Sequence, residues 1–311
     1  MNNKEYKQII ITFFERDHNL GVATLANSLK RSGFKGLLRV GYRGHLPKWI
    51  SQLKHVTGNE FMIADGFSIS FVLLNTDMHF GYYKPYFLRD TINEYNLVEK
   101  ICYFDPDIVV ITKWDYISSW MEAGVALCLD NCFPVVPSNH PWREEWKKFA
   151  NVSPALESNI SHYVNSGFIG LNVLDVSILD RWILLTDKYR AVGGNLTIFE
   201  KDGYRAFKGD QDLLNAVITT SADIKFSIIG IEGMGFNYPA YLMVHAAEII
   251  KPWEANFIKQ LFLQGIKPSI GAKYYFQYCD YPIVVYPKIK LAFKKMSIKF
   301  ASVIGGILGR N

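Results

Sequence analysis

IIITFFERDHNLGVATLANSLKRSGFKGLLRV, from Ile9 to Val40, is the stretch that decides the fold. Ile9-Ile10-Ile11 is a short apolar run and reads as a first strand. A polar loop follows from Glu15 to Asn19. From Gly21 to Ser32, Val22, Leu25, Ala26 and Leu29 recur at helical spacing, and Gly33 stands where a helix ends. Leu37-Leu38-Arg39-Val40 reads as a second strand. Strand, helix, strand is the start of a parallel α/β sheet.

Downstream, Phe67–Leu74, Ile101–Phe104, Ile108–Ile111, Val125–Leu129, Val164–Leu171, Phe226–Ile229 and Tyr241–Val244 read as strands. Helices are expected over Pro85–Tyr95 (proline in the first turn), Val176–Tyr189 and Gln211–Thr219. The chain has 311 residues, 49% hydrophobic and 20% charged, which suits a substantial globular core. Cys102, Cys128, Cys132 and Cys279 lack paired zinc spacing and read as reduced, buried thiols. The segment Met1 to Gln8 has no apolar signal core. No apolar run reaches the roughly 18 residues that span a bilayer. The expectation is a cytoplasmic protein.

The net charge of +5 is unevenly placed. Residues 288–311 hold Lys288, Lys290, Lys294, Lys295, Lys299 and Arg310 with no acid, leaving 1–287 close to neutral at −1. A neutral body argues against nucleic acid as a partner. In the tail, Ile289, Phe293, Met296, Phe300, Val303 and Ile307 fall on one helical stripe flanked by lysines. Leu291 and Ile298 lie off that stripe, and Gly305-Gly306 is the expected end of the helix. The tail is therefore expected as a basic amphipathic segment, 282–311, beside a catalytic domain, 1–281. It either packs on the body or lies on an anionic membrane surface, the inner face.

Four constellations can carry chemistry. Asp105-Pro106-Asp107 sits between two apolar strands. Two acids two residues apart project the same way if the chain stays extended, and can hold a hard divalent cation. His245 follows another strand-like run, with Lys251-Pro252-Trp253 behind it; it reads as a ligand or as a structural histidine. Asn165-Ser166-Gly167 interrupts an apolar strand, as a site or as a bulge. Asp210-Gln211-Asp212 opens a helix, where Asp210 reads as an N-cap or as part of a catalytic edge.

In this order, the four motifs resemble glycosyltransferase family 8 and its bacterial nucleotide-diphospho-sugar transferase relatives. The resemblance covers about residues 7 to 255. Gly41-Tyr42-Arg43-Gly44 with Leu46-Pro47-Lys48-Trp49, Gly124 to Cys128, and His140-Pro141-Trp142-Arg143 with Trp146 fit the bacterial relatives as well. The resemblance implies a GT-A fold, a nucleotide-sugar donor, commonly UDP-linked, with Mn2+ or Mg2+, and retention of anomeric configuration. It implies Asp105, Asp107 and His245 as metal ligands and Lys251 as a diphosphate contact. Asn165, Asp210 and Gln211 then fall at the donor sugar and reaction centre, and the segment of Thr12, Phe13 and Arg16 at the nucleoside. Glu248 departs from the family, which places Gly there. The acceptor is expected to be a carbohydrate or lipid-linked. The competing readings are a metal-dependent nucleotide-sugar hydrolase and a non-catalytic nucleotide-sugar binding module.

Overall fold

A computed structural model of the chain describes residues 6–199 and 206–308. The first five residues and Arg310, both used above, lie outside that range. The chain opens with β1 (Gln8–Glu15), α1 (Asn19–Ser32), β2 (Gly36–Arg43), β3 (Lys54–Thr57), β4 (Glu60–Ala64) and β5 (Phe67–Leu73). Next come α2 (Phe80–Glu94), β6 (Lys100–Phe104), β7 (Ile108–Val110), α3 (Trp114–Trp120), β8 (Val125–Cys128) and α4 (Pro141–Ala150). Then follow β9 (Phe168–Asn172), α5 (Ser177–Ala191), α6 (Asp210–Thr219), β10 (Phe226–Ile229) and β11 (Met243–His245). The last elements are α7 (Phe257–Lys259), α8 (Ile270–Tyr275) and α9 (Lys288–Ile307).

The expected mostly parallel sheet is present, in the order β10-β8-β9-β6-β1-β2-β5-β4-β3. β9 runs antiparallel to β6 and to β8, while β1 is parallel to β6, β8 to β10 and β2 to β5. β7 and β11 form a separate antiparallel pair. β1 is buried along its six inner residues, the pattern of a strand covered on both faces.

The chain divides into two compact units. The first comprises residues 1–11, 74–104 and 116–231. Its core includes the fully buried Trp146 and Trp182 and the apolar face of α6. α2 starts at Phe80, five residues before the expected start. His79 caps it, accepting a hydrogen bond from the Gly81 amide at 3.1 Å, and Pro85 lies inside the helix. The buried residues Phe80, Lys84, Phe87, Leu88 and Thr91 follow one helical stripe, so a lysine occupies a core position. The Asn165-Ser166-Gly167 triplet precedes β9 as a turn and does not interrupt the strand.

The second unit comprises residues 12–73, 105–115 and 232–311. α1 ends as expected at Gly33, with φ +87°. The β3–β4 hairpin went unforeseen; its turn is Gly58-Asn59, with Gly58 at φ +51°. Phe14 stacks on Tyr42 with ring centroids 5.5 Å apart, and Phe71 meets both rings edge-on. Cys132, in the first unit, is exposed, against the expectation that all four thiols are buried.

α9 packs on this unit through the residues that lay off the apolar stripe. Leu291, Ile298 and Ala301 join a buried cluster with Leu261, Tyr275, Phe276 and Tyr286. Lys294 donates to the Ala255 carbonyl at 2.7 Å. Gly305 does not end the helix, which runs to Ile307. It is buried, and a side chain there would strike the Lys267 stem. The stripe of Ile289, Phe293, Met296, Phe300, Val303 and Ile307 is exposed throughout. The helix has two apolar faces, and the shorter one is covered.

This assignment of faces gives a stability test. Ile298→Ala is expected to cost about 2–4 kcal/mol, as a buried side chain truncated in a packed core. Phe293→Ser is expected to stay within about 0.5 kcal/mol. Urea unfolding of the two variants measures both, and the reverse order would mean that the faces are exchanged.

Candidate active site

In the second unit, Asp105, Asp107 and His245 each offer a ligand atom, all within 4.8 Å of one another. His245 Nε2 lies 3.1 Å from Asp107 Oδ1 and 3.6 Å from Asp105 Oδ2. The long sequence separation is closed by the β7–β11 pair, in which His245 sits opposite Ile108. The Ala246 amide donates to the Asp107 carbonyl at 3.0 Å and carries the pairing into the acidic turn. The two acids do not converge by strand alternation, as the sequence suggested. Asp105-Pro106-Asp107 is a tight turn, closed by the Ile108 amide donating to the Asp105 carbonyl at 3.1 Å.

Gly21 sets how close α1 comes to this turn. A Cβ on Gly21 would collide with the Pro106 carbonyl oxygen and lie 3.0 Å from the Trp253 ring. The backbone carrying the acids is thus wedged between the first turn of α1 and an aromatic wall. Trp253 in turn packs on His18 and Tyr275.

The charges within the cluster are matched. Lys251 Nζ donates to Asp107 Oδ2 at 2.7 Å and to the Ala246 carbonyl at 3.1 Å. Burial would raise the Asp107 pKa, but His245 and Lys251 outweigh it and hold the carboxyl well below its ordinary range. Burial would lower the His245 pKa, but Asp107 and then Asp105 outweigh it and favour the imidazolium. His245 Nδ1 is buried without a hydrogen-bond partner, so the ring is oriented by the carboxylates facing Nε2. Two carboxylates and one imidazole suit a hard divalent cation, with coordination positions left for other oxygens. Glu248 is exposed, as are its neighbours Ala247, Ile249 and Ile250.

The segment that the resemblance assigns to the nucleoside lies in the same unit. Thr12 and Phe13 are buried in β1, and the Thr12 hydroxyl has no partner. Arg16 is exposed, at φ +52°, and lines a cavity of about 720 Å3 with Glu15, Asp17, Arg43, Lys48 and Trp49. The Gly41–Trp49 motif therefore has two roles. Tyr42 packs in the aromatic cluster, Arg43 and Lys48 face the cavity, and Trp49 does both.

In the first unit, Asp210, Gln211 and Asn165 are brought together around Ser166. Asp210 is not the N-cap of α6; Gly209 is, and Asp210 begins the helix. Its Oδ2 accepts from Lys84 Nζ at 2.8 Å, and the same ammonium donates to the Ser166 carbonyl at 2.9 Å. Gln211 Oε1 accepts from the Ser166 amide at 3.1 Å. Asn165 donates to Asp130 Oδ2 at 3.0 Å and accepts from the Gly167 amide at 2.9 Å. Burial would raise the Asp210 pKa, but Lys84 and the Ser166 hydroxyl hold it below the ordinary carboxylate value.

The support for this turn comes from residues the sequence reading passed over. Asn215 accepts from the Val164 amide and donates to its carbonyl, both at 2.9 Å. Tyr163 donates to Asp212 Oδ1 at 2.7 Å. Arg143, fully buried, reaches the Val136 and His162 carbonyls and the Thr219 hydroxyl, which makes the His140–Trp146 motif part of the scaffold. The signal for Lys84 is that it is the one charge on the apolar stripe of α2, and it shows only when that helix begins at Phe80.

Lys84→Met is expected to destabilise the protein by about 3–5 kcal/mol, because it leaves the Asp210 carboxylate buried and unpaired. The double variant Lys84→Met/Asp210→Leu should recover much of that loss. The Asp210 pKa is depressed in the fold, so its contribution is present above the ordinary carboxylate pKa and is lost as pH falls through the folded value. Urea titrations at pH 7 and pH 3 read both effects. A Lys84→Met cost below about 1 kcal/mol at pH 7 would mean that the pair is not buried.

No protein-family model and no curated protein matches the chain. Solved structures do. The apo structure of the bifunctional glycosyltransferase WbbM superposes with TM-score 0.57 at 14% identity, covering 94% of this chain and 52% of that one. The galactosyltransferase LgtC, in complex with donor and acceptor sugar analogues, gives 0.52 at 13% identity, over 92% and 99% of the two chains. GlyE of Streptococcus pneumoniae TIGR4 gives 0.51 at 14% identity, over 94% and 64%. The chain thus spans about half the WbbM chain and nearly all of LgtC. It has the GT-A type fold of these glycosyltransferases.

Proposed function

We propose that the protein is a glycosyltransferase that takes a sugar from a nucleotide-diphosphate donor, UDP-linked, and passes it with retention to a carbohydrate or lipid-linked acceptor. The observation that carries this reading is the convergence of Asp105, Asp107 and His245 beside Lys251 within a GT-A fold. These three side chains would hold Mn2+ or Mg2+, which supplies positive charge against a leaving diphosphate. Lys251 is already within reach of the same carboxylate and is the ammonium available to a phosphate oxygen. The Thr12–Arg16 segment and the cavity beside Arg16 are assigned to the nucleoside. Asn165, Asp210 and Gln211 are assigned to the donor sugar. Lys84 keeps Asp210 ionised and fixed, so the carboxylate can orient a hydroxyl without reorganising. We assign residues 282–311 a second role, with the exposed stripe of α9 lying on the anionic inner face of a membrane and the catalytic body on 1–281.

A panel of nucleotide sugars, each with and without Mn2+, tests the donor by thermal shift, since a ligand of the native state raises Tm. One UDP-sugar should stand out, and only with metal. Asp107→Ala should lose Mn2+ binding in calorimetry together with turnover, and product NMR should show the donor's anomeric configuration. An absence of any nucleotide-sugar shift, or full turnover by Asp107→Ala in chelator, overturns the reading. For the membrane role, Phe293→Ser with Phe300→Ser should weaken binding to anionic vesicles at least tenfold while moving Tm by less than about 2 °C. Unchanged binding would remove that role.

A further inference from the structure

We propose that the cavity between α8 and α9 is a binding site for the phosphomonoester headgroup of a membrane lipid. The cavity measures about 300 Å3 and is lined by Lys273 and Gln277 from the α8 side, by Lys295, Lys299 and Ser302 from α9, and by Phe276 and Ile298. Phe276 and Ile298 belong to the buried cluster beneath the helix, so the cavity has an apolar floor and a cationic rim. The Ser302 hydroxyl oxygen is buried and has no hydrogen-bond partner. Among the described residues, the only carboxylate paired with these lysines is Asp280, 3.9 Å from Lys295 and half-exposed. Three ammoniums with one idle hydroxyl donor match the terminal oxygens of a doubly charged phosphate. A singly charged diester would leave part of that charge unanswered.

The setting favours a lipid as the source of the phosphate. Lys295, Ile298, Lys299 and Ser302 recur at helical spacing, so they share one side of α9. That side lies between the covered face and the exposed stripe of Phe293, Met296, Phe300 and Val303. Phe262, Leu263 and Ile266, from the turns before α8, are exposed as well. From Ala255 to the end of the chain, eight lysines and Arg310 face a single acid, Asp280. A headgroup in the cavity leaves its acyl chains free to follow the apolar stripe, and the surrounding lysines meet the anionic surface. This inference rests on the membrane role proposed for α9 and gives it a headgroup preference.

The test compares vesicles containing phosphatidate with vesicles containing phosphatidylglycerol at matched surface potential, using the full chain. The wild-type protein should bind phosphatidate vesicles at least fivefold more tightly. Lys273→Gln with Lys299→Gln should abolish that ratio, and Ser302→Ala should reduce it. Lys259→Gln with Lys288→Gln removes the same charge away from the cavity; it should weaken both vesicle types while keeping the ratio. Equal wild-type binding to the two vesicles, or equal loss of the ratio in both double variants, overturns the headgroup site and leaves general membrane docking standing. No binding to either vesicle overturns both. Tight binding of inorganic phosphate without vesicles, below about 0.1 mM and lost in Lys273→Gln with Lys299→Gln, would assign the cavity to a soluble anion.

Discussion

The antiparallel pairing of β11 with β7 is the constraint on which the metal-type cluster depends. Three registered residue pairs, Met243 with Val110, Val244 with Val109 and His245 with Ile108, bring the histidine to the acids. The Ala246 amide then bonds the Asp107 carbonyl, so the backbone positions both side chains before they interact. Once His245 and Lys251 stand beside Asp107, the electrostatics follow. A carboxylate with its side chain only 6% exposed would be costly if alone, and two cationic partners make the ionised form the stable one. The wedge of Gly21 against Pro106 keeps the turn from relaxing away from them.

The first unit solves a similar problem with one lysine. Lys84 spends its three donors on Asp210, the Ser166 carbonyl and the Ser166 hydroxyl. It therefore ties the start of α6 to the turn before β9 through α2. Replacing such a buried pair by apolar residues would often be neutral for stability. Keeping it fixes an ionised carboxylate in a low-dielectric place. Asn215 supports the same turn by mimicking a strand partner for Val164, so the polar triplet is held from both sides.

Much of this was legible in the sequence, for identifiable reasons. Apolar periodicity located β1, α1 and β2, and the order of four motifs pointed to Asp105, Asp107, His245 and Asp210 before any distance was known. What was not legible was local geometry. The Asp-Pro-Asp segment was read as extended because proline disfavours helix in the residue before it, yet the proline serves equally well inside a turn. α2 was started at Pro85 because proline favours a first turn; the His79 cap, which lets the helix begin at Phe80, has no strong sequence signature. That error hid Lys84. The β3–β4 hairpin is short and polar enough to lack a clear strand pattern.

α9 shows why a single periodic stripe is an incomplete guide. The dominant stripe of six apolar residues left two readings open, packing on the body or lying on a membrane surface, and it is the face left in solvent. The helix is held instead by Leu291, Ile298, Ala301 and Gly305, a narrower set in which small residues permit close approach and Lys294 caps a carbonyl. A helix anchored by its minor face leaves its major face available for another apolar phase. On the membrane role proposed for α9, a face bordered by lysines and not by acids suits a phase that carries negative charge. Conversely, a helix with only one apolar face could either complete the fold or meet a membrane, but not both at once. The second face of α9 removes that conflict, since the unit's core stays covered whichever way the outer stripe is occupied.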